Sequence, residues 1–156
     1  MVVLEFDGQP DTDRTQALWN QPGYKNVFGA DSAVIHGKEA RYQGRNLLER
    51  RYDRIVGWKD PGTWLSFRLR AVEPGRFHVL ITYNAGADSA GNEFAVAIGP
   101  NTLNARVDRG LDPFETFMLG TVQLQPGDYE MAIRAASVRK GTGLPDVHAV
   151  TLIPAP

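Results

Sequence analysis

The chain has 156 residues, with 17 Lys and Arg against 18 Asp and Glu, 42 % hydrophobic residues, 22 % charged residues and no Cys. That length holds one domain, the composition excludes wholesale disorder, and a net charge of −1 lacks the basic excess of a nucleic-acid binder. Without Cys there are no disulfides, no thiolate metal sites and no Cys nucleophile, and the redox compartment stays open.

The opening Met1-Val2-Val3-Leu4-Glu5-Phe6-Asp7-Gly8 lacks the basic, apolar and small-residue regions of a secretory leader. It starts directly in a strand-like run over 2–6, as a piece cut from a longer protein does. No apolar run approaches the ~18 residues of a membrane span. Residues 7–30 show no clear period and read as an extended segment on the edge of the domain, anchored by Trp19. Strands are then expected at about 33–42, 64–71, 77–83, 94–99, 104–108, 115–124, 129–136 and 147–153, because apolar and polar residues alternate there. Leu65, Phe67 and Leu69 against Ser66, Arg68 and Arg70 is the clearest case. A helical turn competes over Asn46–Ile55, where Leu47, Leu48, Arg51, Tyr52 and Ile55 fit helical spacing. Pro74-Gly75 and Pro126-Gly127 read as type II turns, with Pro presetting φ and Gly accepting positive φ. These paired turns are the one repeat the reading finds. Short strands divided by turns imply an all-β, antiparallel β-sandwich or jelly roll.

If each consecutive strand pair reverses direction, the Pro-Gly turns and the loop near 100–103 share one end of the sandwich. Segments 43–63, 84–93, 109–114 and 137–146 then share the other, the end where binding residues are expected. The inference depends on the short strand at 104–108.

Asn84 opens a polar run that includes Asp88, Ser89, Asn92 and Glu93, suited to reading hydroxyl groups or to ordinary turn chemistry. Arg41, Arg45, Arg50, Arg51 and Arg54 outnumber Glu49 and Asp53, a local excess that suits an anionic glycan or pairs with itself in solvent. Asp108, Asp112, Glu115 and Asp146 offer no singled-out acid/base pair, and His36, His78 and His148 lack metal-ligand spacing. Nothing in this set specifies catalysis.

Ala33-Val34-Ile35-His36-Gly37, Arg41-Tyr42, Gly57-Trp58, Trp64-Leu65-Ser66-Phe67 and the Glu73-to-Phe77 turn resemble carbohydrate-binding modules of the family 6 and family 35 type. Leu119-Gly120-Thr121-Val122-Gln123-Leu124 and Asp146-Val147-His148-Ala149-Val150-Thr151-Leu152 do so too. The resemblance covers roughly 30–154. It is nearest in pattern to the jelly-roll domains appended to bacterial α-L-fucosidases and sulfatases. It implies a galactose-binding-like sandwich over 30–156, preceded by an N-terminal strand and extended segment over 1–29. It also implies a sugar held by loops at one end against aromatic rings, which points to Trp58, Tyr52, Arg139 and Lys140; Asn84 joins the candidate ligand residues from the polar run read above. An indole stacks on a pyranose face; the alternative for Trp58 is a plug packed beneath its loop. The family's Ala-Glu pair before the region of Ala33 reads Gly29-Ala30-Asp31 here, and Asp146 matches a late acidic position. The resemblance thereby makes Asp146 and Asp31 the candidate ligands of a structural calcium.

The function expected from this reading is a non-catalytic carbohydrate-binding module, secreted or periplasmic, attached to the catalytic domain of a glycan-degrading enzyme. Its partner is a carbohydrate, an anionic one where the arginines are the readers, and not nucleic acid. The alternative is an accessory sandwich that buttresses a neighbouring domain and binds no sugar.

Overall fold

The computed structural model describes residues 14–44, 52–108 and 111–156, the side chains of 111 and 112 excepted. The strands are β1 (Gln16–Leu18), β2 (Asn26–Gly29), β3 (Val34–His36), β4 (Arg41–Gln43), β5 (Arg54–Val56), β6 (Trp64–Ala71), β7 (Gly75–Ala85), β8 (Glu93–Ile98), β9 (Asn101–Arg106), β10 (Leu111–Leu124), β11 (Gly127–Ser137) and β12 (Asp146–Pro154). They form two sheets. One runs β1-β6-β11-β8-β9, with β3 on the same edge of β6 as β1; the other runs β10-β7-β12-β5-β4, with β2 also pairing β12. The all-β sandwich expected from the alternation is the fold observed.

Alternation puts Leu65, Phe67 and Leu69 of β6, Phe94, Val96 and Ile98 of β8, and Met131 and Ile133 of β11 on the inner face of the first sheet. They meet Phe77, Val79 and Ile81 of β7 and Val150 and Leu152 of β12 from the second. Phe28 of β2 meets Phe67 edge-on across the layers, with ring centroids 6.1 Å apart.

Several expectations change. Residues 16–29 lie inside the sandwich, so no structural boundary falls at residue 29: β1 pairs β6 in parallel and β2 pairs β12. The expected strand 33–42 divides into β3 and β4, which join different sheets. The expected strand at 2–6 and most of the competing helical turn lie outside the described residues; its last residues, Arg54 and Ile55, are strand. Gly75 does not take positive φ. It is a strand residue, and a Cβ there would fall 2.9 Å from both Asn20 Nδ2 and Phe77 Cε2, so closeness and not turn chemistry requires glycine. A type II turn forms instead at Gln21-Pro22-Gly23-Tyr24, with Gly23 at φ +79° and Tyr24 N–H donating to Gln21 O at 3.0 Å. A second repeat also emerges. Gly29-Ala30-Asp31-Ser32-Ala33 and Gly86-Ala87-Asp88-Ser89-Ala90 are identical and each folds as a 3-10 turn, with an Asp oxygen 2.6 and 2.5 Å from where a Cβ on Gly29 and Gly86 would stand.

The parity argument survives because β9 is present and forms a hairpin with β8. Connections 72–74, 99–100 and 125–126 close one end. Segments 57–63, 86–92 and 138–145 share the other, as their contacts show: Leu144 N–H donates to Trp58 O at 2.8 Å and Asn92 Nδ2 donates to Gly143 O at 2.7 Å.

Candidate functional site

At the loop-bearing end of the second sheet, two irregularities gather side chains on the outer face. The β12–β7 register slips between Val147 and Ala149, leaving His148 as the bulged residue. The β10–β7 register slips between Leu111 and Glu115, at Pro113, which a central strand would not tolerate and edge strand β10 does. The slips place His148 and Phe114 together, 5.6 Å between ring centroids, with Tyr52 5.6 Å from His148 and 6.0 Å from Phe114. His148 Nδ1 lies 2.6 Å from Asp53 O, which fixes the ring.

A polar row crosses beside these rings. Arg54 donates Nε to Gln43 Oε1 at 3.0 Å, pairs with Asp146 at 3.6 Å and stands 5.9 Å from the Phe114 centroid. Asn84 is the strand partner of Asp146. Burial raises the Asp146 carboxyl above its ordinary value of 3.8, against the opposing pull of Arg54 and then Arg41. Desolvation, followed by the negative charges of Asp53 and Asp31, raises the Tyr42 hydroxyl above its ordinary value. Tyr52 is 53 % exposed, so the cluster presents an open ring edged by a guanidinium, an amide and a carboxyl. Such a combination stacks on an apolar face and bonds hydroxyls around it.

The sequence-predicted residues are therefore divided. Tyr52, Asn84 and Asp146 come together in this cluster. Trp58 does not join them: its ring is 2 % exposed and donates Nε1–H to Thr63 O at 3.0 Å, so it is the plug and not a stacking surface. Arg139 spends its Nη2 on Asp88 O at 2.8 Å and Ala90 O at 2.5 Å, tying loop 138–145 to loop 86–92, and Lys140 is exposed next to it. Asn92, also read as a hydroxyl reader, is fully buried and clamps the same two loops. Of the arginine excess, Arg45, Arg50 and Arg51 lie outside the described residues. Calcium takes six to eight oxygens. Asp146 pairs with Arg54, and no group of three or more His, Asp or Glu able to hold a metal is found among the described residues.

Sequence reasoning missed Phe114 and His148 as site residues and named Arg54 only within the arginine excess. Two signals were available: Pro113 within an otherwise strand-like run, and the phase jump from Val147 to Val150 in the apolar pattern. Elsewhere, a recess of about 260 Å³ between β9 and β10 is lined by Tyr83, Phe117, Asn104, Arg106 and Asp108. It holds none of the predicted ligand residues.

No family model matches the sequence, and no curated protein matches it. Solved structures do match. A family 35 carbohydrate-binding module from Clostridium thermocellum superposes with a TM-score of 0.64 at 15 % identity, over 85 % of this chain and 100 % of that one. The chain has the fold of a carbohydrate-binding module. The Podospora anserina GH26-CBM35 β-(1,4)-mannanase gives 0.60 at 16 % identity over 85 % of this chain, which spans 28 % of the mannanase. The mosquito-larvicidal Cry4Aa toxin from Bacillus thuringiensis gives 0.72 at 14 % identity over 93 % of this chain and 25 % of the toxin. One sandwich thus serves sugar-binding modules and a part of a toxin, so function has to be argued from the site. No helix among the described residues is long and apolar enough to cross a membrane.

Proposed function

We propose that the chain is a non-catalytic carbohydrate-binding module, exported from the cell and carried by a larger glycan-degrading enzyme, with a glycoside hydrolase of the α-L-fucosidase kind or a sulfatase as the parent. The observation that carries this reading is the open Tyr52 ring over Phe114 and His148, bordered by Arg54, Asp146 and Asn84, on a fold shared over the full length of a family 35 module. Tyr52 supplies the stacking face, Asn84 and Asp146 meet hydroxyl groups, and Arg54 offers donors to a hydroxyl or to an acidic substituent. A shallow site of this kind binds at about millimolar to micromolar Kd. Attachment to a catalytic domain raises its effective concentration on the polymer.

Affinity electrophoresis of the chain through gels containing β-1,4-mannan, xylan, laminarin or an acidic polysaccharide tests this. Retention by at least one gel is expected, and Tyr52→Ala should weaken it about tenfold, or ~1.4 kcal/mol. Free migration in every gel, or retention that Tyr52→Ala leaves unchanged, contradicts the reading. The second reading, a buttress for a neighbouring domain, draws on Val27 and Val72, which are 48 % and 65 % exposed. It predicts free migration in every gel.

A further inference from the structure

The pole opposite the loop-bearing end also presents aromatic rings. Leu18 pairs with Ala71 and Asn26 with Leu152, so the loop 19–25 between β1 and β2 lies with the 72–74 connection. Trp19 is 54 % exposed and Tyr24 44 % exposed, against 2 % for Trp58. Their ring centroids are 6.4 Å apart with 56° between the planes, an open V. A hydrophobic anchor, the role the sequence suggested for Trp19, would bury the ring.

The loop is held firmly. Asn26, fully buried, accepts from Trp19 N–H at 2.8 Å and donates to Trp19 O and Leu152 O at 3.1 Å each. Gln21-Pro22-Gly23-Tyr24 closes as a type II turn that sets where Tyr24 leaves the chain. Asn20 donates Nδ2 to Pro74 O at 3.1 Å and keeps Oδ1 as an acceptor. A buried Asn with three hydrogen bonds costs desolvation that a disposable loop would not require. Here it fixes two open rings, with Asn20 and Gln21 between them in the chain. The polar Asn20, Gln21, Lys25 and Glu73 interrupt the apolar surface, so it is too broken for a protein-docking face, while open ring faces with polar side chains in the same loop match a pyranose.

We propose that Trp19 and Tyr24 form a second, independent carbohydrate-binding site for a neutral hexose or pentose unit of a glycan chain, at the pole opposite the Tyr52 cluster. The proposal shares only its ligand class with the function proposed above. Occupation of both poles lets one chain contact two glycan strands.

Trp fluorescence tests it directly. Trp58 is buried, and Trp64 lies stacked between His36 at 3.7 Å and the Arg134 guanidinium at 3.6 Å, so quencher reaches Trp19 first. The chain is titrated with mannohexaose, xylohexaose, cellohexaose and laminarihexaose to about 10 mM, some tenfold above a millimolar Kd. At least one sugar should blue-shift the emission and lower acrylamide quenching about twofold as the ring is covered. Trp19→Phe should abolish the spectral change, Tyr24→Ala should weaken it, and Tyr52→Ala should leave it intact. Absence of any change with all four sugars, a change that persists in Trp19→Phe, or one that disappears in Tyr52→Ala overturns the proposal.

Discussion

Trp58→Ala is expected to cost about 3–5 kcal/mol of stability in urea unfolding, the loss typical of deleting a buried large aromatic ring. The indole is 2 % exposed and packs in the core with Ile55 and Leu144. Its Nε1–H satisfies the carbonyl of Thr63, a residue itself fully buried. Truncation empties the space beneath the 57–63 loop and orphans that carbonyl. Trp58→Phe restores most of the volume but not the donor, so about 1–2 kcal/mol of loss should remain. A loss below about 1 kcal/mol for the Ala variant would place the ring outside the core. Glycan retention by the fraction still folded should not change, the opposite of what a stacking role for Trp58 requires.

Asn92→Ala is expected to cost about 2–4 kcal/mol, since one side chain satisfies three partners across two loops. Oδ1 accepts from Arg139 N–H at 3.0 Å, and Nδ2 donates to Thr142 Oγ1 at 2.8 Å and Gly143 O at 2.7 Å. Its loss leaves loop 138–145 held to loop 86–92 chiefly by Arg139. Amide hydrogen exchange at Arg139 should accelerate by more than tenfold. Unchanged exchange would show that Asn92 is not the clamp. Asn92→Asp keeps the acceptor and loses the donors, so it should protect Arg139 while still destabilising the fold.

The strands were the readable part of the sequence, because burial of one face imposes a period of two. The expected 64–71 coincides with β6, whose inward residues are all but solvent-free. The grouping of loops at one end followed from strand parity alone. The site was harder to read because it depends on departures from periodicity. His148 reaches Tyr52 only because β12 slips by a residue, and Phe114 only because β10 breaks at Pro113. Alternation without the slip places His148 among ordinary surface residues. Trp58 was misassigned for a different reason. A Trp in a loop near a binding end has the same local sequence whether it faces solvent or the core; tertiary packing decides. The Pro-Gly pairs show the same limit: Pro22-Gly23 makes a type II turn, whereas Gly75 answers to the crowding of Asn20 and Phe77.

The central claim is that sugar is read on the outer face of the second sheet, around Tyr52. Amide NMR on the chain, titrated with mannohexaose and then laminarihexaose, tests it most directly. Shift changes should appear at Tyr52, Asn84, Phe114 and His148 and collapse at those residues in Tyr52→Ala, whereas changes at Trp19 and Tyr24, the other pole, should persist. Spectra in which those residues stay still while Asn104, Arg106 and Phe117 of the β9–β10 recess move, or in which only Arg139 and Lys140 move, would contradict it.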